Sequence, residues 1–561
     1  MLLNVLVSFF VAIQICTSVA QDPLVQLPNG LIRGRQGVTI RNKSYYAFEK
    51  IPYATPPVGE LRFKAPIPPS NWEGTLDTLH LDVTCYQQNA NSNYESEDCL
   101  YVNVFTPELP DTEAVALPVM LYIHGGGFVG GSSMNVASDR IIENDVILVT
   151  INYRLGPFGF LSTQDEIIPG NNGLKDQHLA IKWVHDNINL FGGDPEKITI
   201  FGQSAGSASC AYQLLNQEGK GLFSGAILQS GSSLSPWAFQ RRAREIAFDT
   251  AAFLNATFID NRNSQALLSF LLTVDAEKLD TASEQYHNSE AGPEDTEILQ
   301  GFYWAPVVEV KNPDAFLTKK MFGLLQAGNV VAVPLLIGMT SEEALSFNRN
   351  ADTLKSAMAA YDQNLAWLVP NDMQITDEAN RTEIGRLIRE IYTEGEPLAE
   401  HLGDGVRYSS DTSFTRSVIK HAELHSKVAT TFFYQFSYDG QLGGNDVHYD
   451  GAENVAHSED NRYIFCSGNG CDVGGYPESD QITAERMISI WTNFAKYRNP
   501  TPEPSELLQN VTWPLLSTDD GDFLYVDINE NLEIKNHPKE GTYGKWIELY
   551  DSLGLIDFDT Y

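Results

Sequence analysis

The chain has 561 residues, with 73 acidic against 37 basic side chains and a formal net charge of −36 at pH 7. Such an acidic chain repels the phosphates of nucleic acid and of anionic membrane surfaces, so neither is an expected partner. Length alone would suggest three or four domains.

The first 20 residues are typical of a secretory signal peptide. Residues 5–15 form an apolar core, and the small-x-small ending SVA precedes Gln21. This apolar core is shorter than a membrane anchor requires. The final segment, LYDSLGLIDFDTY, lacks the hydrophobic tail of a lipid-anchor signal. We therefore expect a signal peptide over residues 1–20 and a secreted, extracellular protein without a membrane anchor.

A secreted chain is open to N-glycosylation, and four N-x-S/T sequons are available for it. They lie at Asn42, Asn255, Asn380 and Asn510. Asn499 is not an acceptor, because proline follows it.

A glycine-rich loop follows a short apolar strand pattern. Residues 119–123 predict a buried strand, and the sequence HGGG begins directly after it at His124. Glycines leave backbone N–H groups free to face a developing negative charge, so Gly126 and Gly127 are candidate donors of an oxyanion hole. A glycine-rich turn without chemistry is the plainer alternative. A phosphate loop is disfavoured, because no Gly-Lys-Ser/Thr ending is present.

The most specific pattern is a strand that runs into G-x-S-x-G and then into a helix. Residues 198–201 predict a buried strand, and SASCAYQLL behind the motif is compatible with a helix. This context predicts a nucleophile elbow, in which strained backbone projects the Ser204 hydroxyl from the end of the sheet. Gly202 and Gly206 remove Cβ atoms where strand and helix pass closest. The N–H of Ala205 is the third candidate oxyanion donor.

Apolar runs of strand length recur along the chain, with helix-compatible segments between several of them. The runs lie at residues 119–123, 146–151, 198–201, 226–229, 334–338 and 431–436. This alternation predicts an α/β fold with a mainly parallel sheet covered by helices on both faces. A single site would draw on residues from 126 to 457, so we expect one domain over residues 21–561.

Two segments outside these runs also carry predictions. The polar stretch 283–297 predicts a surface loop or insertion. Apolar residues at 487, 490, 491 and 494, with Pro500 just beyond, predict a late amphipathic helix over 482–497.

Several motifs together resemble one enzyme family. They are EDCLYVNV at 97–104, HGGGF at 124–128, NYRLGPFGFL at 152–161, FGGDPEKITIFGQSAG at 191–206 and WTNFAKYRNP at 491–500. The chain is similar in these motifs to the type-B carboxylesterases, the cholinesterase-like branch of the α/β-hydrolases. The resemblance implies an α/β-hydrolase fold and ester hydrolysis by a serine, an acid and a histidine in that chain order. No metal or cofactor is expected, because the cysteines lack zinc spacing and no dinucleotide fingerprint is present.

The resemblance assigns the acid of the triad to the end of a later strand. The sequence PLLIGMTSEEALSF at 334–347 is similar to the family's G-x-x-x-[DE]-E-G, with the acid at Glu343. Ala344 stands where the family usually has glycine. Glu342 is the rival, and a solvated acidic pair is the alternative without chemistry. A buried carboxylate here would hold the imidazole in the productive tautomer.

The histidine is assigned by ENVAHSEDNRYIF at 453–465, which resembles G-x-x-H-x-x-[DE]-x-x-[FY]-x-F and gives His457. Asn454 replaces the glycine of that pattern, so we expect an altered pocket wall around an intact base. His448 is the nearby competitor. With His457 as base, Ser204 would attack an ester carbonyl, form an acyl-enzyme and release the acid after attack by water.

The cysteines divide into pairs and one single thiol. The resemblance implies a disulfide between Cys85 and Cys99. Cys466 and Cys471 in CSGNGC are close enough in sequence to bridge in an oxidising compartment. Cys210 follows the elbow and is expected to be a small buried thiol. The resemblance further implies two structural ion pairs, Arg62 with Glu97 and Arg154 with Asp176.

The resemblance also bears on the ester that is hydrolysed. Cholinesterases carry a tryptophan between the cysteines of the first disulfide and glutamate before the nucleophile. Here that loop has no tryptophan and the preceding residue is Gln203, which disfavours choline esters, although Tyr86 or Tyr94 could partly replace the tryptophan. The pentapeptide GQSAG resembles insect juvenile hormone esterases and occurs in digestive and odorant-degrading esterases too.

We expect a small hydrophobic ester as substrate: a juvenile hormone, an odorant or pheromone, or a general carboxylic ester. Phe128 and Trp237 resemble pocket-lining positions, and both are equally compatible with plain core aromatics. Gln203 is placed in the same pocket by the resemblance.

A non-catalytic class resembles the same family. Cell-surface adhesion proteins of this type have lost the triad and carry a transmembrane segment near the carboxy terminus. This chain retains Ser204, Glu343 and His457 and has no such segment, so the enzyme is the favoured interpretation.

Overall fold

The computed structural model describes residues 22–87, 93–110, 115–134, 136, 139–290, 301–465, 472–517 and 522–561. The expected signal peptide over 1–20 lies outside these ranges. Among the described residues, no helix combines the length and apolarity needed to cross a membrane.

The strands are numbered in chain order. They are β1 Leu24–Leu27, β2 Gly30–Arg33, β3 Arg35–Val38, β4 Ser44–Pro52, β5 Thr75–Asp77, β6 Tyr101–Thr106, β7 Leu117–Ile123, β8 Ile147–Ile151, β9 Gly193–Gln203, β10 Gly225–Gln229, β11 Leu335–Thr340, β12 Thr431–Phe436, β13 Leu524–Ile528 and β14 Leu532–Asn536.

The helices are numbered in the same way. They are α1 Asp139–Ile142, α2 Gly156–Phe160, α3 Asn172–Asn187, α4 Ala205–Leu215, α5 Ala243–Leu254, α6 Ser264–Leu271, α7 Ala276–Glu290, α8 Met321–Gln326, α9 Ala351–Gln363, α10 Glu378–Thr393, α11 Leu402–Ser410, α12 Arg416–Ser426, α13 Glu459–Arg462, α14 Glu478–Tyr497 and α15 Glu540–Ser552.

A large mixed sheet forms the centre of the fold. Within the described ranges it has eleven strands in the order β14-β13-β12-β11-β10-β9-β7-β8-β6-β4-β3, and β1, β2 and β5 form a small separate sheet. Pairing is parallel from β8 through β7, β9, β10, β11 and β12 to β13, and antiparallel towards both edges. The six predicted strands are β7 to β12, and the predicted α/β-hydrolase fold is confirmed.

The central strands are buried on both faces. In β8, Ile147, Val149 and Ile151 belong to one hydrophobic cluster, whereas Leu148 belongs to a second cluster on the opposite face. Alternate side chains of a strand point to opposite faces, so a sheet covered on both sides needs apolar residues at every position. This explains why these strands are visible in the sequence as continuous apolar runs.

The two helices that matter most for the site cover opposite faces of this sheet. Helix α4 packs into the first cluster, and α14 packs into the second through residues that include Met487 and Trp491. The predicted late helix is confirmed, and it begins at Glu478, four residues before the predicted start. Glu478 and Asp480 lie in its first turn, where carboxylates interact favourably with the helix dipole.

The prediction of a surface loop over 283–297 is wrong for its first half. Residues up to Glu290 continue helix α7, and Leu279, Ser283 and Tyr286 are buried along one side of that helix. The ring of Tyr286 packs edge-on against Tyr303 at 5.2 Å. Few apolar anchors hold this helix, so its composition alone was typical of a loop. Residues 291–297 lie outside the described residues.

Candidate active site

The nucleophile elbow is built from the end of β9 and the start of α4. Ser204 lies between them with φ 60° and ψ −126°, a strained conformation for a residue with a side chain. Its N–H donates to the carbonyl oxygen of Gln229 at 2.8 Å, which ties the turn to the neighbouring strand β10. A Cβ atom at Gly206 would collide with the carbonyl oxygen of Ile123. Strand and helix can therefore meet this closely only through glycine.

The glycine loop after β7 lies beside the elbow. Gly126 and Gly127 have φ of 108° and 61°, conformations that favour glycine. A Cβ atom at Gly125 would lie 3.1 Å from the Cβ of Ser204, so loop and elbow are in contact. In the described ranges, the N–H groups of Gly126, Gly127 and Ala205 donate to no protein acceptor. Three adjacent free donors are what an oxyanion hole requires.

The structure brings Glu343 and His457 together. The imidazole Nδ1 lies 2.5 Å from Glu343 Oε2, and the other carboxylate oxygen accepts a hydrogen bond from the N–H of Thr340 at 2.9 Å. Glu343 is fully buried at the start of a short 3₁₀ turn after β11. A buried carboxylate on Nδ1 holds the proton on that nitrogen and leaves Nε2 as the acceptor.

The two rivals lie elsewhere. Glu342 is also buried, but its carboxylate accepts hydrogen bonds from the Ser410 hydroxyl at 2.6 Å and the Glu453 N–H at 3.0 Å. Burial raises the pKa of Glu342. His448 is exposed, and its ring contacts Asn454 at 3.2 Å. Neither rival touches the imidazole of His457.

The group that contacts Nε2 of His457 is Gln203, the residue before the serine. Its amide Nε2 lies 3.1 Å from the imidazole Nε2 and donates to the Ser458 hydroxyl at 2.7 Å. Among the described residues, the Ser204 hydroxyl makes no hydrogen bond to the imidazole. Gln203 is predicted to line the substrate pocket, and the structure places its amide against the imidazole.

A buried polar network lies behind the histidine. Asp460 accepts hydrogen bonds from Gln229 Nε2 and from the Tyr434 hydroxyl, both at 3.0 Å, and Gln229 in turn accepts from the indole N–H of Trp491 at 3.1 Å. Burial, together with the nearby carboxylate of Glu343, raises the pKa of Asp460 to about 6. Asp460 had a signal in the sequence, as the acidic position of the histidine motif, whereas Gln229 and Tyr434 had none.

An aromatic cluster connects the imidazole to the predicted pocket residues. Phe128 and Trp237 are almost completely buried, with ring centres 6.3 Å apart. Trp237 also packs against Phe302 and Phe414, each at 5.6 Å, and Phe414 lies 4.6 Å from the ring of His457. Phe302 and Phe414 had no signal in the sequence, because isolated phenylalanines carry no motif.

A cleft opens beside the glycine loop. Its volume is about 70 Å³, and Gly127, Phe302 and Trp304 are among the residues that line it. Asp280 and Glu284 of helix α7 also line it. Burial and the neighbouring carboxylates of Glu95 and Glu284 raise the pKa of Asp280 to about 7. The cleft is therefore lined both by one candidate oxyanion donor, Gly127, and by two carboxylates of helix α7.

The remaining predicted residues are found as follows. The disulfide between Cys85 and Cys99 is formed, and Cys210 is a buried free thiol. Cys466 and Cys471 lie outside the described residues, so their bridge stays a prediction. The ion pairs Arg62–Glu97 and Arg154–Asp176 are present at 2.5 and 2.6 Å. The side chains of all four sequons are exposed: Asn42, Asn255, Asn380 and Asn510.

Comparison with known proteins gives one consistent result. The sequence model described as "Carboxylesterase family" matches residues 21–546. The juvenile hormone esterase of Tribolium castaneum is 32% identical over 570 residues, covering 97% of this chain and 94% of the relative. A carboxylic ester hydrolase of Bombus ignitus is 34% identical over 534 residues, covering 92% of this chain and 91% of the relative.

The fold is similar to that of a solved enzyme. The crystal structure of juvenile hormone esterase from Manduca sexta, with OTFP covalently attached, aligns with a TM-score of 0.80. The sequence identity in that alignment is 29%, and it covers 95% of this chain and 100% of the other.

Proposed function

The chain belongs to the carboxylesterase family, and from this premise we propose that it is a secreted serine carboxylesterase with Ser204, Glu343 and His457 as its catalytic triad. The observation that carries the proposal is the 2.5 Å contact between His457 Nδ1 and Glu343 beside the elbow of Ser204. Ser204 and Glu343 follow the carboxyl ends of parallel strands, and His457 lies in the chain after β12. This edge of the sheet is where α/β folds hold their ligands.

The proposed mechanism has two similar halves. His457 Nε2 takes the proton of Ser204, and the serine oxygen bonds to the ester carbonyl carbon while the carbonyl electrons move onto oxygen. The resulting oxyanion accepts hydrogen bonds from the N–H groups of Gly126, Gly127 and Ala205. The alcohol leaves with the proton from His457. Water then attacks the acyl-enzyme in the same way, and the acid is released.

The proposed base implies a pH dependence. Only a neutral imidazole accepts the serine proton, so activity should fall at acid pH. The measurement is kcat/KM against pH for a substrate that does not titrate in the acid range. A rate that stays constant down to pH 4 would contradict a histidine base.

The direct test replaces the proposed nucleophile. Wild type and Ser204→Ala are compared for hydrolysis of a short-acyl nitrophenyl ester, and turnover should fall by about 10⁶. Ser209→Ala is the matched control, because Ser209 is buried in α4 and bonds to Gln177 away from the imidazole. Equal rates from folded wild type and Ser204→Ala would overturn the proposal.

We propose a small hydrophobic ester as the substrate class, supported by the aromatic cluster of Phe128, Trp237, Phe302 and Phe414 beside the imidazole. Hydrolysis of a juvenile hormone is the second candidate, favoured by the names of the relatives from Tribolium castaneum and Manduca sexta. Comparing kcat/KM for juvenile hormone, a nitrophenyl ester and a choline ester separates these candidates. A preference for the choline ester would contradict the proposed class.

Secretion is part of the same proposal and rests on the apolar amino-terminal segment. The mature protein recovered from culture medium should begin at Gln21. N-glycosidase treatment should lower its mass through removal of glycans from the exposed sequons. Retention of the full chain inside the cells would contradict secretion.

A further inference from the structure

The amide of Gln203 contacts Nε2 of His457, the ring nitrogen that general base catalysis requires. Gln203 is 6% exposed, and its Nε2 lies 3.1 Å from Nε2 of His457. Glu343 holds the other ring nitrogen at 2.5 Å, so Nε2 of the neutral imidazole has one lone pair to offer. A side-chain N–H of glutamine is the complementary donor for that lone pair.

Two anchors fix the amide in this position. The backbone of Gln203 pairs with Gln229 at the end of β9, so its side chain starts from rigid strand structure. The Ser458 hydroxyl accepts a second hydrogen bond from the same amide nitrogen at 2.7 Å. Ser458 has a left-handed backbone with φ 73°, a less common conformation in which its hydroxyl is placed next to the amide. The Gln203 amide is therefore held next to His457 by its own strand and by Ser458.

Nε2 must also receive the proton of Ser204, and it has one lone pair for two donors. We propose that the Gln203 amide caps Nε2 of His457 in the resting enzyme, and that Ser204 must displace this cap before acylation. This inference rests on the proposed function and makes Gln203 a positioning residue that acts through His457. After displacement the amide keeps its hydrogen bond to Ser458.

The cap discriminates between the two protonation states of the imidazole. An amide N–H donates well to neutral imidazole, but it faces another donor once Nε2 carries a proton. Among the described residues, the charged groups that interact with His457 are Glu343 on Nδ1 and Asp460 behind the ring. The Gln203 amide is bonded to His457 and Ser458 and not to either carboxylate. The rings of Phe347 and Phe414, at 5.6 and 4.6 Å, are uncharged. Removing the cap should therefore favour the imidazolium.

The test measures the acid limb of kcat/KM in two variants of the full-length secreted enzyme. Gln203→Met has similar length but no donor, and the midpoint of its acid limb should rise by about half a pH unit. Gln203→Glu places a carboxylate that accepts from the imidazolium, and its midpoint should rise by about one pH unit or more. A nitrophenyl ester serves as the probe for both variants.

Controls separate this role from a purely structural one. Gln435→Met makes the same change at a buried glutamine on β12 that bonds to Ser437, and its midpoint should not move. If the Gln203→Met midpoint does not rise, or if the Gln203→Glu midpoint stays or falls, the cap is overturned. Ser204→Ala is measured beside them. If wild type is active and Ser204→Ala is inactive, the proposed nucleophile is supported even when the Gln203 variants contradict the cap.

Discussion

Two adjacent glutamates show how much individual side-chain geometry decides. Glu342 and Glu343 both fit the sequence pattern for a triad acid, and both are buried. They differ in what their carboxylates contact, because Glu343 reaches His457 whereas Glu342 accepts from Ser410 and the Glu453 backbone. Two neighbouring glutamates thus differ in role because their side chains contact different groups.

This difference predicts effects of very different size for the same substitution. Glu343→Gln should lower kcat by about 10⁴, because the amide no longer holds the imidazole tautomer or balances its charge. Glu342→Gln should lower kcat less than about tenfold, since it leaves the contact with His457 intact. Steady-state kinetics on one nitrophenyl ester compares the two. A larger loss in Glu342→Gln would reverse the assignment.

Asp460 links the site to the pH dependence of stability. Its folded pKa of about 6 exceeds the unfolded value of about 3.9, so between these values the folded chain binds more protons. Its contribution to the free energy of unfolding therefore falls by about 2 to 3 kcal/mol as pH rises from 4 to 6. In Asp460→Asn this part of the pH dependence should be absent. The free energy of unfolding of both proteins is measured by urea unfolding at pH 4, 5 and 6. If the free energy of unfolding of Asp460→Asn fell between pH 4 and pH 6 as much as that of wild type, this prediction would be wrong.

Among the structural elements, the strand–elbow–helix unit of β9 and α4 was the most predictable from sequence. Its glycines are required because a Cβ at Gly206 would meet the Ile123 carbonyl oxygen, and a Cβ at Gly202 would meet the backbone of Gly206. Because the backbones approach this closely, only glycine fits, and the geometry can therefore be predicted from the local sequence.

Two glycine substitutions should separate required from tolerated glycines. Gly206→Ala should destabilise the protein by about 1 to 3 kcal/mol or more and reduce activity, because strand and helix must move apart. Gly544→Ala in helix α15 meets open space and should stabilise by about 0.5 to 1 kcal/mol. Thermal unfolding of both variants provides the measurement. Equal shifts for both would show that the elbow is not sterically tight.

The sequence predicted what local patterns encode and missed what distant contacts create. Strands β7 to β12 were visible because both faces of the sheet bury them. Helix α7 was hidden, since its polar composition leaves few apolar anchors such as Leu279 and Tyr286. The Gln203–His457 contact joins residues 254 positions apart, and no spacing rule in one sequence predicts it.

For the molecule as a whole, distant parts of the chain meet at one edge of the sheet. The glycines of the candidate oxyanion hole follow β7, Ser204 and Ala205 follow β9, Glu343 follows β11, and His457 lies beyond β12. The parallel strands of the central sheet bring these ends to one edge, where α/β folds hold their ligands. The covalent cross-link between Cys85 and Cys99 adds a local constraint on the unfolded chain.

Removing that cross-link should cost stability without touching the triad. The double variant Cys85→Ala/Cys99→Ala opens a loop with a sequence separation of 14 and should lose about 3 kcal/mol. The midpoint of denaturant unfolding should fall, while kcat for the folded fraction remains within a few-fold of wild type. An unchanged midpoint would mean that the loop is already restricted in the unfolded chain.

Covalent labelling decides whether Ser204 is the nucleophile. The purified enzyme is treated with diisopropyl fluorophosphate, whose phosphorus is attacked by an activated serine oxygen as fluoride leaves. Peptide mass spectrometry should find one diisopropylphosphoryl group per chain, on Ser204, in step with the loss of esterase activity. Loss of activity with the label on another residue, or with no label on Ser204, would contradict the proposed triad.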